Sequence, residues 1–217
     1  MAKGLKNQLL QRLWYYQRVL IFKWNTAQGN KCVKVPKGIQ LSPAGVKDIC
    51  NLHAKPDFDL MDYPLSMLRQ KFSHGLWHGL LAKADNEVVG YAFFTKHEII
   101  FGGSKLVALN LPRQSVYLFR TFVHPSARNM GIGKALVGMR LKLCGQQGLT
   151  EAYAAVNNTN MVSIKNCKTL GGKIIGSVFF LKTRFFNWVI CSPGLLISGL
   201  KSKASITAEN GNKILPY

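Results

Sequence analysis

The chain has 217 residues, 47% of them hydrophobic, enough for one domain of ordinary size with a real core. Its 29 Lys and Arg against 9 Asp and Glu give a formal net charge of +20, which favours anionic partners over cationic ones. No uncharged apolar window of ~18 residues and no cleavable signal is read, and the five cysteines lack Cys-x-x-Cys or metal-ligand spacing, so a membrane span, a disulfide framework and a metal site are not expected.

In chain order, residues 5–24 fit helical spacing. Leu5, Leu9, Leu13, Tyr16 and Leu20 share one face, widened by Leu10, Trp14 and Ile21, with Gln8, Gln11, Arg12 and Arg18 opposite. The expectation is a basic amphipathic helix, lying in a membrane interface or packed on the domain or a twin subunit; Lys6 and Lys23 interrupt its apolar sector. The chain divides into this helix and linker (1–37), a main domain (38–191) and a basic tail (192–217). Ser42-Pro43 is expected to start a helix reaching about Leu52, and Asp62 to cap a second over Tyr63–Phe72. Strands are predicted at 80–84 and 87–97, with an extended excursion over 101–115 and a strand over 116–123. There follow a helix over 134–147, a strand over 151–156, and a helix over 160–170 that Gly171 closes. Strands over 173–181 and 185–191 precede a weakly ordered tail from Pro193 to Tyr217. This order is α/β with a mixed sheet.

Strand 116–123 passes into the helix through Val123-His124-Pro125-Ser126-Ala127-Arg128-Asn129-Met130-Gly131-Ile132-Gly133. A strand that turns into a helix through Arg-x-x-Gly-x-Gly presents main-chain N–H groups at the positive end of a helix dipole, a setting that binds phosphates. Gly131 and Gly133 let backbone and anion approach without a Cβ between them. A dinucleotide fingerprint would need glycine at 136, where Leu136 stands; a P-loop would need Ser or Thr after Gly133-Lys134, where Ala135 stands.

The run resembles the acyl-CoA-binding motif of the GNAT superfamily of N-acyltransferases, Val-x-Pro-x-x-Arg-Gly-x-Gly-Ile-Gly, with Asn129 where that family usually has Gly. The stretch from Asn160 to Gly171, with Ser163-Ile164 and Leu170-Gly171, resembles the family's next helix. The resemblance spans about residues 38–190 and is sharp over 116–172. It implies a GNAT fold: a mixed, mostly antiparallel sheet flanked by helices, whose central parallel strands, here 116–123 and 151–156, splay around the donor's pantetheine arm. It also implies transfer of an acyl group, acetyl above all, from acyl-CoA to an amine by direct attack. The N–H groups of Asn129, Met130, Gly131, Ile132, Gly133 and Lys134 would hold the pyrophosphate. Arg128 and Lys134 would add charge. The backbone of Thr121, Phe122 and Val123 would pair with pantetheine like an added strand. Asn160 and Ser163 complete the implied donor site.

The catalytic groups are less determined. The family's tyrosine acid falls at Cys167, which is either a thiol acid or a packing residue. Strand 116–123 carries no carboxylate and offers Tyr117, Arg120 and Thr121; Glu98 is the nearest candidate base, with water-mediated deprotonation equally open. Asp57, Asp59 and Asp62 form an acidic cluster that either recognises a cationic amine or caps and solvates a loop. His74 and His78 lack the further ligands a metal needs. The implied acceptor is a small-molecule or lipid-linked amine. An acidic acyl carrier protein is the alternative donor, and the expected location is cytoplasmic and peripheral on the inner membrane face. A non-catalytic GNAT-fold module holding anionic membrane or nucleic acid is the competing reading.

Overall fold

A computed structural model describes residues 14–26, 34–60, 63–100, 108–183, 187–197 and 201–203. Its main element is an eight-stranded sheet built from β1 (Trp14–Asn25), β2 (Ile39–Ala44), β3 (His78–Ala84), β4 (Glu87–Thr95), β7 (Ser115–Val123), β8 (Glu151–Asn157), β9 (Lys173–Thr183) and β10 (Asn187–Cys191). The order is β10-β9-β1-β8-β7-β4-β3-β2. Every neighbouring pair is antiparallel except β7 and β8, which are parallel. A smaller sheet joins β5 (Glu98–Ile100), β6 (Ala108–Asn110) and β11 (Lys201–Lys203). Helices α1 (Val46–His53), α2 (Leu65–Ser73), α3 (Ile132–Gln146), α4 (Met161–Thr169) and α5 (Pro193–Ile197) complete the described chain.

Alternation along the central strands divides the core. On one face Phe22, Trp24, Val116, Leu118, Ala152 and Ala154 pack with Val137, Leu141 and Cys144 of α3 and Ile164 and Cys167 of α4. On the other, Val19, Ile21, Tyr117 and Tyr153 pack with Leu109, Val178 and Leu195, while Phe93 and Tyr91 meet Ile49, Leu52, Leu68 and Phe72 of α1 and α2.

The helix expected over residues 5–24 is corrected where it can be seen: residues 14–25 are β1, and 5–13 lie outside the described residues. β1 runs between β8 and β9, with Phe22 and Trp24 buried on one face and Val19 and Ile21 on the other, and its short apolar run Val19–Phe22 satisfies either period. The two bases have sheet-specific partners: Arg18 stacks over the Phe179 ring at 5.0 Å, and Lys23 Nζ lies 2.5 Å from Glu151 Oε1. The described part of the expected amphipathic helix is therefore a strand paired on both edges. Among the described residues, no helix is long and apolar enough to cross a membrane.

Smaller corrections follow. Ser42-Pro43 lies in β2, pairing with β3, and α1 starts only after Gly45. Pro64 occupies the N-cap of α2, and Asp62, assigned that role, lies outside the described residues. The start of the expected tail holds α5, and β11 pairs with β6; residues 204–217 are not described.

Candidate functional site

β7 and β8 pair in parallel only from Ser115/Glu151 to Leu118/Ala154, although β7 continues to Val123 and β8 to Asn157. Beyond Leu118 the strands part, and a cleft of about 190 Å³ opens between them. Its walls come from β7 (Phe119, Thr121), β8 (Ala155, Asn157), α3 (Gly133, Arg140) and α4 (Ser163, Cys167), with Trp24 of β1.

The parting coincides with an irregularity on the opposite edge of β7. Tyr91 pairs with Phe122, but Phe93 pairs with Phe119, so Arg120 and Thr121 together face Ala92. This is a β-bulge, and Arg120 takes φ 49° within it. Two arginines brace the bulge. Arg140, 1% exposed in the middle of α3, donates from Nη1 to Phe93 O (2.6 Å) and Phe119 O (3.1 Å) and from Nη2 to Thr121 Oγ1 (2.6 Å). Arg120 donates to the Asp59 carbonyl, pairs with Asp59 Oδ2 at 3.3 Å, and lies over the Tyr63 ring at 5.2 Å.

The mouth of the cleft is the bend before α3. A 3₁₀ turn over Pro125–Ala127 leads through Arg128 to Asn129 (φ 65°) and Gly131 (φ 82°), the N-cap of α3. Asn tolerates the left-handed region better than most residues, which accounts for Asn129 at a position where the resemblance expects Gly. Among the described residues nothing accepts a hydrogen bond from the N–H of Asn129, Met130 or Gly131, and the first turn of α3 adds donors of its own. A Cβ on Gly133 would sit 3.7 Å from both Asn166 Nδ2 and Val123 Cγ2, ordinary contact, so packing alone does not demand glycine there. The absent side chain keeps the mouth open. Arg128 is exposed, its Nε donating to Val123 O at 3.3 Å, and Lys134 is exposed on the first turn.

The other expected residues fare unevenly. Phe122 and Val123 pair with β4 on one edge of β7, leaving the cleft edge beyond the reach of the β8 ladder. Ser163 and Asn160 line the cleft, but the Asn160 side chain is committed as N-cap of α4, accepting from Ser163 N at 3.0 Å. Cys167 lines the cleft, and burial pushes its thiol up to about 11. Tyr117 is not brought to the cleft: it points to the opposite face, parallel to Phe119 at 5.6 Å, with its hydroxyl pKa raised by burial. Glu98 begins β5, opposite Asn110 in the small sheet. Of the acidic cluster, Asp59 is held by Arg120, Asp57 is exposed on a 3₁₀ turn, and Asp62 is not described. Asp59 thus meets Arg120 at 3.3 Å while its side chain stays 64% exposed.

Sequence reasoning missed Arg140 and Trp24. Arg140 carried a signal: Ile132, Leu136, Arg140 and Cys144 recur at i+4 on α3, a single base in a buried stripe. Trp24 is 4% exposed, and its Nε1–H is buried without a partner among the described residues. Together with the open N–H groups of the mouth, an unpaired donor in the cleft wall fits a ligand with acceptors along its length.

A family model described as "Acetyltransferase (GNAT) family" matches residues 46–185. No curated protein matches the chain. The fold resembles a GCN5-related N-acetyltransferase from Sphaerobacter thermophilus (TM-score 0.58, 15% identity), covering 83% of this chain and 56% of that one. It also resembles a GCN5-related N-acetyltransferase-like protein from Streptococcus suis (TM-score 0.56, 13% identity; 84% and 67% covered) and a GCN5-related N-acetyltransferase from Kribbella flavida (TM-score 0.54, 14% identity; 91% and 67% covered). The chain thus spans little more than half the length of the Sphaerobacter relative. Splayed parallel strands, a glycine-opened bend at a helix N-terminus and the family match agree: the chain belongs to the acetyltransferase (GNAT) family.

Proposed function

We propose that the protein is an N-acyltransferase that takes an acyl group, acetyl in the simplest case, from a coenzyme A thioester and delivers it to an amine by direct attack. One observation carries the reading. The parallel pair loses its ladder after Leu118/Ala154, directly beside a bend whose N–H groups lack acceptors among the described residues. A diphosphate suits the bend, and an extended amide-bearing arm suits the unpaired edge of β7 at Thr121, Phe122 and Val123. Arg128 and Lys134, both exposed at the bend, would add charge to the phosphates. An N–H of the bulged segment would polarise the thioester carbonyl.

The cleft lining contains no carboxylate among the described residues, so the amine proton leaves through water or to Glu98, the candidate base. Cys167 is a protonated thiol at neutral pH, because burial holds its pKa near 11. The high positive charge favours a polyanionic donor and leaves an acidic acyl carrier protein as the rival to coenzyme A. The acceptor is a small-molecule or lipid-linked amine.

The test has two stages. Coenzyme A and its acetyl and longer acyl thioesters should raise the melting temperature, since a ligand selective for the native state stabilises it by mass action. Mass spectrometry of reactions with mixed amines should then show an acyl mass added to one class. Transfer from an acylated carrier protein but from no coenzyme A thioester would sink the coenzyme A version. Neither binding nor transfer would leave the non-catalytic module.

A further inference from the structure

The floor of the cleft holds a buried charge, that of Arg140. Arg140 carries five N–H donors. Nε donates to Leu136 O at 3.4 Å, Nη1 to Phe93 O and Phe119 O, and Nη2 once, to Thr121 Oγ1. The second N–H of Nη2 has no acceptor among the described residues. No carboxylate reaches the guanidinium among those residues; its ion-pair role is vacant while the side chain is almost fully buried. The titratable groups that bear on it are Cys144 of α3, Cys167 of α4 and Tyr117 of β7. Burial raises the pKa of all three, to about 11 for each thiol, so all are neutral at pH 7. Desolvation lowers Arg140 to about 10, which still leaves it charged there. A cation with no carboxylate partner among the described residues therefore lines the cleft beside Cys167.

This matters to the transfer proposed above, on which the inference rests. The amine lone pair forms a C–N bond at the thioester carbonyl carbon. The C–S bond breaks and its electron pair passes to sulfur, while one nitrogen proton leaves to water. Sulfur departs as thiolate unless an acid meets it. Cys167 stands at the position of the implied acid, but its thiol is a weaker acid than an ordinary thiol of pKa ~8.5. Proton donation from Cys167 to the leaving sulfur runs uphill.

We propose that Arg140 takes the place of a proton donor: its buried guanidinium stabilises the leaving thiolate as a fixed positive charge, and the thiolate collects its proton from water after release. The residue also braces the bulge, so the test needs a readout that bracing alone would not move. The thiol of coenzyme A bound to the full chain is titrated by its far-ultraviolet thiolate absorbance. A parallel titration with S-methyl coenzyme A is subtracted, which removes the protein's own cysteines.

The bound thiol is expected to titrate about one pKa unit or more below the free one, as an opposite charge within several ångströms dictates. Arg140→Gln removes the shift, and Arg140→Lys, which keeps the charge without the fork, retains part of it. A bound thiol titrating at or above its free value in the unsubstituted protein overturns the proposal, whether or not the Gln variant folds. So does an equal shift in the unsubstituted protein and Arg140→Gln. Failure of coenzyme A to bind by calorimetry overturns the donor reading and this inference with it; binding with an unshifted thiol overturns this inference alone.

Discussion

The mouth and the floor of the cleft are built by different means. The mouth is main chain: two left-handed residues, Asn129 and Gly131, turn the backbone into α3, and the N–H groups of residues 129–131 have no acceptor among the described residues. Eleven adjacent residues specify it. The floor is side chain and sheet order: Trp24 arrives from β1, Arg140 from α3, Thr121 from the β7 bulge and Cys167 from α4. More than 140 residues separate the first and last of these, and the family match starts at residue 46, after β1 has ended. A phosphate site can thus be local and portable, while the chamber where acyl transfer would occur depends on the whole sheet closing around it.

Damage to the floor should be the more severe. Deleting residues 1–26 removes β1 from between β8 and β9, exposing two unpaired edges and stripping Trp24 from the core. The expected outcome is loss of cooperative thermal unfolding by circular dichroism. A truncated chain that melts cooperatively within a few degrees of the full one would show the strand to be an accessory.

Next in size is Arg140→Met. It leaves Phe93 O and Phe119 O without their donor in a buried setting, a loss of roughly 2–3 kcal/mol. Urea denaturation should show the midpoint falling with the slope unchanged. A change below about 1 kcal/mol would mean that apolar packing compensates, as it does for some buried ionic groups.

The mouth should separate folding from binding. Gly133→Ala meets only ordinary contacts and removes backbone freedom from the unfolded chain, so stability should hold or rise by about 0.5 kcal/mol. Coenzyme A affinity should nevertheless fall about tenfold, or 1.4 kcal/mol, by calorimetry. Gly131→Ala, at φ 82°, should instead cost about 1 kcal/mol of stability through backbone strain. Equal affinities for Gly133→Ala and the unsubstituted protein would place the ligand elsewhere.

The last effect appears only at alkaline pH. The thiols of Cys144 and Cys167 are raised from 9.0 to about 11, so the folded state holds protons that the unfolded state releases between those values. Their contribution to stability is present in full below pH 9 and is lost as the pH rises through about 11. Replacing both by Ala should flatten that limb of the melting-temperature profile. An unchanged limb would assign it to other groups.

The same contrast explains what could be read from the sequence. The bend, α3, β8 and α4 lie within residues 125–169 and follow local rules of period, glycine placement and capping. Asn160, for one, caps α4 as its position suggests. β1 reads as a helix because burying Val19, Ile21, Phe22 and Trp24 on both faces erases a clean period of two, and Leu5 to Leu20 also fits a helical stripe. Nothing local in the sequence shows that Arg120, sixty-one residues on, turns back from the bulge to Asp59. Tyr117 was one residue out of phase: in a strand, Val116 and Leu118 face α3 and α4, and Tyr117 faces away.

The most direct test of the central claim is the backbone amide spectrum of the isotopically labelled protein titrated with coenzyme A. The account predicts that the largest shift changes fall on the N–H groups of Asn129 through Lys134, with a second set on Thr121 to Val123. Saturable binding that leaves the amides of residues 129–134 unmoved would contradict it.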